Sequence, residues 1–144
     1  MSPPSTQISM SSERQIANLI ATYAFRNDDA DIEGLGDLFA EATFSLDGTV
    51  ARGKAEIEAF ARAIIPLLPD GSAATSHEIS NITMVVEEDA GTATAQSYWT
   101  LYRAISGSPR EAVLAGRYRD AFTRREGVWR FAKRDAVSRW KAEG

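Results

Sequence analysis

The chain contains no cysteine, and this absence excludes several classes of site. Without thiols there can be no disulfide framework, no thiolate nucleophile and no zinc–thiolate centre. His77 is the only histidine among the 144 residues, so one chain cannot build a multi-histidine metal site either. We therefore expect no thiolate-bound or multi-histidine metal site.

Basic charge and long apolar runs are also scarce. The formal net charge is -4 and the isoelectric point about 5.0, so no concentrated basic face is present for nucleic acid. No apolar run is long enough to cross a membrane, and the stretch MSPPSTQISMSS lacks the basic and apolar regions of a secretory signal. The sequence therefore predicts a cytoplasmic protein that binds neither nucleic acid nor membranes.

What the chain does contain is the composition of one ordinary globular domain. Hydrophobic residues make up 44% and charged residues 25% of the 144 residues, a length sufficient for one core with a pocket. Residues 1–11 are rich in serine, proline and threonine and are predicted to form a disordered tail. The folded domain is expected over 12–139, followed by a polar C-terminal tail at 140–144.

The hydrophobic pattern changes from helical to strand-like along the chain. Apolar residues at helical spacing predict helices over 12–27, 31–39 and 54–65. Alternation predicts strands over 43–50, 75–86, 92–104, 111–124 and 128–138. Early helices and a late meander of long strands indicate an α+β layout, in which the helices pack on one face of a curved sheet and enclose a pocket.

The strand TSHEISNITMVV, residues 75–86, carries the only histidine. Side chains two apart on a strand share a face. His77 would therefore share its face with Ile79, Asn81, Thr83 and Val85. A histidine and an amide on an otherwise apolar face indicate either a catalytic base with a polar neighbour or an ordinary buried histidine.

The last strand shows the same alternation. Arg134 is expected to share a face with small residues such as Ala132 and Ala136, while Trp129 and Phe131 point to the other face. The small-residue face would let Arg134 reach into the pocket. Trp99, Trp129 and Phe131 would then lie on an open sheet face, which predicts a homodimer or homotrimer.

Several stretches resemble the SnoaL-like branch of the NTF2-like superfamily. They are ATYAFRNDDADIEGLGDLF, the strand ending at Gly53 before AEIEAF, SHEISN, and the closing module GRYRDAFTRREGVWRFAKR. The local pattern is similar to hexachlorocyclohexane dehydrochlorinase and, more distantly, to scytalone dehydratase. The resemblance implies an NTF2-like cone, in which a strongly curved mixed or antiparallel sheet and about three N-terminal helices enclose a pocket.

The resemblance also implies roles for individual residues. His77 matches the base of an Asp–His dyad and Asp28 matches its partner, although Asp29 and Asp31 compete with Asp28 for that place. Arg134 matches a pocket arginine, which could stabilise an enolate, an alkoxide or a departing anion. The lysine of the dehydrochlorinase pocket has no clear match here.

Other residues are expected to bind substrate. Asn81 could orient it, and aromatic side chains could form the walls around an apolar or ring-shaped molecule. The candidate wall residues are Tyr23, Phe44, Trp99, Tyr102 and Tyr118.

An imidazole paired with a carboxylate can take up a proton and return it near neutral pH, because its ordinary pKa is about 6.5. We therefore expect a cofactor-independent lyase, such as a dehydratase, or an isomerase acting on a hydrophobic small molecule. One alternative is polyketide cyclase chemistry, an intramolecular aldol closure. The other is a non-catalytic module that binds a small ligand or dimerises.

Overall fold

The structure is a computed structural model that describes residues 9–143. The predicted disordered tail falls mostly on residues 1–8, which lie outside this range. The described residues form three helices and six strands in one order along the chain: α1 Ser12–Asp28, α2 Ile32–Leu38, β1 Thr43–Leu46, β2 Thr49–Arg52, α3 Gly53–Ile64, β3 Thr75–Glu87, β4 Thr92–Arg103, β5 Ala112–Arg125 and β6 Val128–Lys141. β6 continues to Lys141, beyond its predicted end at residue 138.

The three aspartates at the junction of α1 and α2 have different structural positions. Asp28 is the last residue of α1, and Asp29 is its exposed C-cap. Ala30 has a φ of 54° and turns the chain sharply. Asp31 then caps α2, accepting a hydrogen bond from the Gly34 backbone at 2.9 Å. Of the three aspartates, only Asp28 is left without a capping role.

The segment predicted as a strand over 43–50, with a hairpin-type turn signal at Asp47-Gly48, is a hairpin of two short strands. Asp47 and Gly48 have φ values of 48° and 90°, which suits the two-residue turn that an Asp-Gly pair favours. β1 and β2 pair on either side of this turn. The Asp47 side chain then accepts hydrogen bonds from both the backbone and the hydroxyl of Ser138, which joins the turn to β6.

The six strands form one mixed sheet in the order β2-β1-β6-β5-β4-β3. β1 is parallel to β6, and the other neighbours are antiparallel. The sheet is not closed, and three helices pack against it, which confirms the predicted α+β layout. Among the described residues, no helix is both long and apolar enough to cross a membrane.

The apolar core lies between the helices and one face of the sheet. Ile16 and Ile20 of α1 are fully buried there, and Phe39 stacks on Phe131 with ring centroids 4.7 Å apart. Phe122 lies 4.8 Å from Phe131 in the same cluster. Burial of these large side chains supplies the main driving force for the fold.

The faces predicted for Trp129 and Phe131 in β6 are wrong because the strand contains a bulge. Ala121 pairs with Lys133 and Phe122 pairs with Phe131, so Ala132 is an extra residue between the two pairs. One extra residue inverts the alternation that follows it. Arg134 consequently lies on the same side of the sheet as Phe131, facing the helices.

The three aromatic residues that were predicted to form an exposed apolar sheet face are buried in the core. Trp99, Trp129 and Phe131 have relative exposures of 4%, 3% and 2%. The exposed apolar residues of the opposite face include Val85, Tyr98, Val137 and Trp140. Assembly into a homodimer or homotrimer stays a prediction, and its original reason no longer holds.

Candidate active site

A cavity of about 120 Å³ lies between the helices and the sheet. A cavity of roughly 150 Å³ can hold one benzene ring, so this space is of the size of a single six-membered ring. It reaches the surface beside Ile64 and Pro66, which are exposed. The lining residues come from two helices, the loop after α3 and five strands: Tyr23, Asn27, Phe44, Leu46, Ile64, Ile65, Pro66, Thr75, His77, Trp99, Leu101, Leu114, Tyr118 and Ala136.

Asp28 and His77 meet at this cavity. The Asp28 Oδ1 atom lies 2.8 Å from His77 Nδ1. The backbone N–H of His77 also donates to both carboxylate oxygens, at 3.0 and 2.9 Å. The side chains are mostly buried, with exposures of 8% for His77 and 21% for Asp28. The carboxylate is therefore fixed by the backbone and the imidazole of one residue.

The position of β3 in the sheet explains this contact. β3 is an edge strand, so every second N–H group of the strand points to its free side and has no strand partner. The last turn of α1 packs against that edge and brings Asp28 to the N–H of His77. One side chain thus caps the strand edge and orients the ring.

The contact also sets the chemistry of the imidazole. A carboxylate oxygen accepts hydrogen bonds, so Nδ1 of His77 carries the ring proton in this arrangement. The other ring nitrogen, Nε2, then has a free lone pair. Within residues 9–143 no hydrogen-bond partner is present for Nε2, and His77 lines the cavity. The arrangement can accept a proton from a molecule in the cavity.

Four of the predicted aromatic wall residues line the cavity: Tyr23, Phe44, Trp99 and Tyr118. The ring of Tyr23 stands edge-on to the imidazole of His77, with centroids 5.9 Å apart. Trp99 stacks on Tyr118 at 5.7 Å. These contacts give the cavity rigid, flat walls next to the histidine.

Gly116 holds Trp99 in this position. A Cβ atom added at Gly116 would lie 2.7 Å from Cζ2 of Trp99 and would also clash with the backbone oxygen of Val137. The indole can therefore lie flat across β5 only because residue 116 has no side chain. Gly116 belongs to the predicted closing module, but its role as the seat of a cavity wall was not visible in the sequence.

Arg134 does not line the cavity. Its side chain is fully buried, and Nε and Nη2 donate to Asp120 at 2.8 and 2.9 Å. The guanidinium carbon lies 3.7 Å from the ring centre of Tyr118 and 4.7 Å from that of Tyr23. The rings of Tyr23 and Tyr118, which line the cavity, therefore pack against Arg134. The expected direct contact between Arg134 and an anion in the cavity is wrong, because these two rings lie between them.

Arg134 remains positively charged in its buried position. Burial alone would lower the pKa of Arg134, but the charge of Asp120 and its hydrogen bonds outweigh this effect and raise it. The pair is bidentate, which is the strongest geometry for a guanidinium and a carboxylate. Asp120 was not predicted. The signal was an acidic residue between Tyr118 and Phe122 on an otherwise apolar strand face.

Asn81 and Tyr102 lie elsewhere, which corrects both assignments. β3 contains a bulge between Ser80 and Thr83, and Asn81 has a φ of 55°. The bulge interrupts the alternation after Ile79, so Asn81 is exposed, outside the cavity. Tyr102 lies on the opposite face of β4 from Trp99, where the guanidinium of Arg110 is 3.9 Å from its ring centre.

Asn27 is a cavity residue that the sequence analysis missed. It is buried, lies one helical turn after Tyr23, and lines the cavity. Its Nδ2 donates to the Tyr23 hydroxyl at 3.5 Å. The available signal was the four-residue spacing from Tyr23 combined with the adjacent Asp28.

The described residues contain no group of three or more histidine, cysteine, aspartate or glutamate side chains that could hold a metal ion. The polar side chains at the cavity comprise instead one imidazole, one carboxamide, one threonine, one indole and two phenols. Such a set suits proton transfer and hydrogen bonding to an organic molecule.

Comparisons with known proteins agree with this fold. A model of the SnoaL-like domain matches residues 9–135. A comparison with curated proteins gives no match. Among solved structures, Aln2 from a Streptomyces species is 28% identical with a TM-score of 0.73, over 88% of this chain and 91% of that one.

Two further structures resemble the chain. An NTF2-like protein with a cystatin-like fold from Novosphingobium aromaticivorans is 28% identical with a TM-score of 0.72, over 88% of this chain and 80% of that one. A type 2 hexachlorocyclohexane dehydrochlorinase, LinA, is 18% identical with a TM-score of 0.75, over 91% of this chain and 87% of that one. At 18% identity the last likeness shows the fold alone.

Proposed function

The chain belongs to the SnoaL-like family, as its sequence had indicated, and from this premise we propose that it is a cofactor-free general acid/base enzyme. The proposed reaction class is a lyase or isomerase reaction on a ring-containing or apolar small molecule. The size of the cavity and its largely aromatic and aliphatic lining support a substrate of this kind.

One observation carries the proposal. His77 lines the cavity, and its Nδ1 atom is hydrogen-bonded to Asp28 at 2.8 Å. A module that only binds a ligand would have no need for a carboxylate to fix the tautomer of a cavity histidine. A general base does need it, because the carboxylate orients the ring and stabilises the imidazolium that forms.

In the proposed reaction, Nε2 of His77 removes a proton from a carbon atom of the bound molecule. The electron pair left on that carbon either expels a leaving group from the neighbouring carbon or shifts a double bond. The imidazolium then returns its proton to the leaving group or to another carbon. Asp28 stays a carboxylate throughout and holds the ring in place.

The name of the dehydrochlorinase gives one example of such an elimination. It describes the loss of hydrogen and chlorine from hexachlorocyclohexane by that protein. For this chain we propose the same class of step, a proton removed from carbon with departure of a neighbouring group, and leave the identity of that group to experiment. Water and halide are the two leaving groups to test first.

The proposal is tested by a panel of single-ring compounds and one substitution. The panel contains chlorinated cyclohexanes, β-hydroxy ring ketones and ring ketones with an isolated double bond, and products are followed by mass spectrometry and NMR. With any compound that the protein converts, we expect His77→Gln to lower kcat by about 100- to 10,000-fold, because the general base is lost.

Tyr98→Phe is the matched control, because Tyr98 is an exposed residue on the opposite sheet face. Its kcat should equal that of the wild type. An unchanged kcat in His77→Gln would contradict the proposal. Binding of panel compounds with no conversion and no exchange of their carbon-bound protons would favour the binding module instead.

A further inference from the structure

A second, smaller space adjoins the cavity. It has a volume of about 20 Å³, and its walls come from all three helices and β1. We call this space the side lobe. The residues that line the side lobe but not the cavity lie on or next to α2 and α3: Leu35, Phe39, Ile57, Phe60 and Ala61.

The side lobe and the cavity share part of their walls. Tyr23, Asn27, Phe44 and Ile64 line both spaces. Ile64 is the last residue of α3 and is 40% exposed, so its side chain can change rotamer without disturbing the core. A group that projects past Ile64 from a molecule in the cavity therefore reaches the side lobe.

The side lobe is apolar. Its aromatic walls are in mutual contact, since the ring centroid of Phe44 lies 5.5 Å from that of Phe39 and 5.8 Å from that of Phe60. Of the described residues that line the side lobe, only Tyr23 and Asn27 have polar side chains, and these two are hydrogen-bonded to each other. Such walls offer few partners to a water molecule, and an apolar space of this kind stays dry.

Ala61 leaves this space open. Ile57 and Ala61 lie one turn apart on α3 and are both buried against the side lobe, but the alanine contributes only a methyl group. The atoms that line an empty space lack contact partners on one side, which costs dispersion energy. An apolar group that enters the side lobe restores these contacts.

The volume of the side lobe limits the size of that group. A cavity needs roughly 10–15 Å³ to hold one group of the size of a water molecule, so about 20 Å³ suits a single methyl-sized group. His77 lines the cavity but not the side lobe. A ring whose substituent occupies the side lobe is therefore held in one orientation relative to the imidazole.

We propose that the side lobe is a subsite for one small apolar substituent, such as a methyl group, on the ring that occupies the cavity. The substrate class is then a six-membered ring with a short alkyl branch. This inference rests on the proposed function, which makes the ligand a substrate, and deepens it by naming a group that the substrate carries. Ala61 is the residue that determines the specificity for this group.

A substitution on α3 tests the subsite by binding alone. The wild type should bind toluene about 4-fold more tightly than benzene, because the methyl group is buried. Ala61→Val fills the side lobe, so toluene should lose this advantage while the affinity for benzene stays the same. NMR titration of the isotope-labelled protein gives the dissociation constants.

Ala59→Val is the matched control, because Ala59 is an exposed residue of the same helix. It introduces the same β-branched side chain outside the side lobe, so it should keep the wild-type ratio of the two affinities. A toluene-to-benzene ratio that is equal in the wild type and in Ala61→Val overturns the inference.

Ile57→Val makes the opposite change, because it removes one carbon atom from the wall of the side lobe. The enlarged space should hold a longer branch, so we expect the affinity for ethylbenzene to rise by up to about 4-fold relative to that for toluene. A ratio that Ile57→Val leaves unchanged would contradict the side lobe as the place of the substituent.

A measurement on the wild type covers the case in which Ala61→Val does not fold. In the complex with toluene, we expect nuclear Overhauser contacts between the toluene methyl protons and the methyl group of Ala61. Contacts of the toluene methyl group with Ile64 and Pro66 at the cavity mouth, in place of Ala61, overturn the inference.

The outcomes separate this inference from the proposed function. A toluene advantage that Ala61→Val removes, without conversion of any compound in the ring panel, supports the subsite and contradicts the proposed function. Conversion that needs His77 but is equally fast for methylated and unmethylated rings, in the wild type and in Ala61→Val, overturns the subsite and leaves the proposed function intact.

Discussion

Two aspartates in this protein each hold a basic side chain at 2.8 Å, in very different surroundings. Asp120 and Arg134 are both completely buried, whereas His77 and Asp28 retain exposures of 8% and 21%. The first pair lies behind the cavity walls, whereas His77 of the second pair forms part of the wall. The same type of contact therefore occurs once as support and once as a candidate reactive group.

The difference follows from the chemistry of the two bases. A guanidinium holds its proton at every pH at which the protein is folded, so the Arg134 pair can only position what it touches. An imidazole exchanges its proton near neutral pH and keeps one ring nitrogen free when the other is bound. Burial completes the contrast, since only the His77 pair reaches the space where another molecule can enter.

The two pairs are connected through the rings of Tyr23 and Tyr118. Arg134 lies against both rings, and Tyr23 also contacts the imidazole of His77. A change in the buried pair should therefore reach the cavity through the tyrosines. Substitutions in each pair can separate support from chemistry, and the expected effects differ in size.

The largest expected effect is on stability. Asp120→Asn leaves the fully buried charge of Arg134 without its carboxylate, and we expect it to lower the free energy of unfolding by about 3–5 kcal/mol. Asp28→Asn should cost about 1 kcal/mol or less, because the amide oxygen can still accept from the His77 backbone and the site is partly exposed. Urea unfolding followed by circular dichroism measures both.

A double substitution provides the control for this prediction. In Asp120→Leu/Arg134→Met both charges are replaced by apolar groups of similar length. Such replacements of buried ion pairs are often neutral, so we expect the double variant to recover most of the stability lost in Asp120→Asn. A double variant as unstable as Asp120→Asn would show that the pair contributes more than mutual neutralisation.

The second expected effect is on catalysis, and here the His77–Asp28 pair matters more than the Arg134–Asp120 pair. With a substrate found in the ring panel, Asp28→Asn should lower kcat by about 100-fold, because an amide no longer stabilises the imidazolium. Asp29→Asn is the matched control, since Asp29 is exposed and follows Asp28 directly. Equal kcat values in the two variants would remove Asp28 from the proposed mechanism.

The contrast between the pairs also shows what could be predicted from sequence. His77 and Asp28 were predicted through a family resemblance, and the structure places them in contact. The residues themselves left Asp29 and Asp31 as competitors. Only the geometry of the helix end, with Asp31 as a cap and Ala30 in a left-handed turn, separates the three.

Arg134 was predicted to reach into the cavity, and Asn81 was predicted to lie on the face of His77. The two expectations failed for different reasons. Arg134 faces the side of the sheet that carries the cavity, but Asp120 holds its side chain behind the rings of Tyr23 and Tyr118. Asn81 lies within a bulge of β3, and the other β6 residues on the wrong face, Trp129 and Phe131, precede a bulge of β6. Strand alternation has a period of two, so a single extra residue inverts every face beyond it. The bulges near Ala132 and Asn81 each disturb it, and alternation of apolar residues alone did not indicate either. The general layout survived because helix and strand patterns do not depend on such single insertions.

The smallest expected effect concerns pH and the tyrosines between the two pairs. Burial raises the pKa of Tyr118 well above its usual value of 10.0, so the folded state holds this proton more tightly than the unfolded state does. The contribution to stability is therefore complete below about pH 10 and is lost as the pH rises further, by at most about 1.4 kcal/mol per pH unit.

In Tyr118→Phe this group cannot ionise, so the free energy of unfolding should decline less steeply above pH 10 than in the wild type. Tyr98→Phe, with its exposed ring, should keep the wild-type slope. Urea unfolding at a series of alkaline pH values measures the three slopes, and equal slopes in the wild type and Tyr118→Phe would show that the buried phenol does not ionise before the protein unfolds.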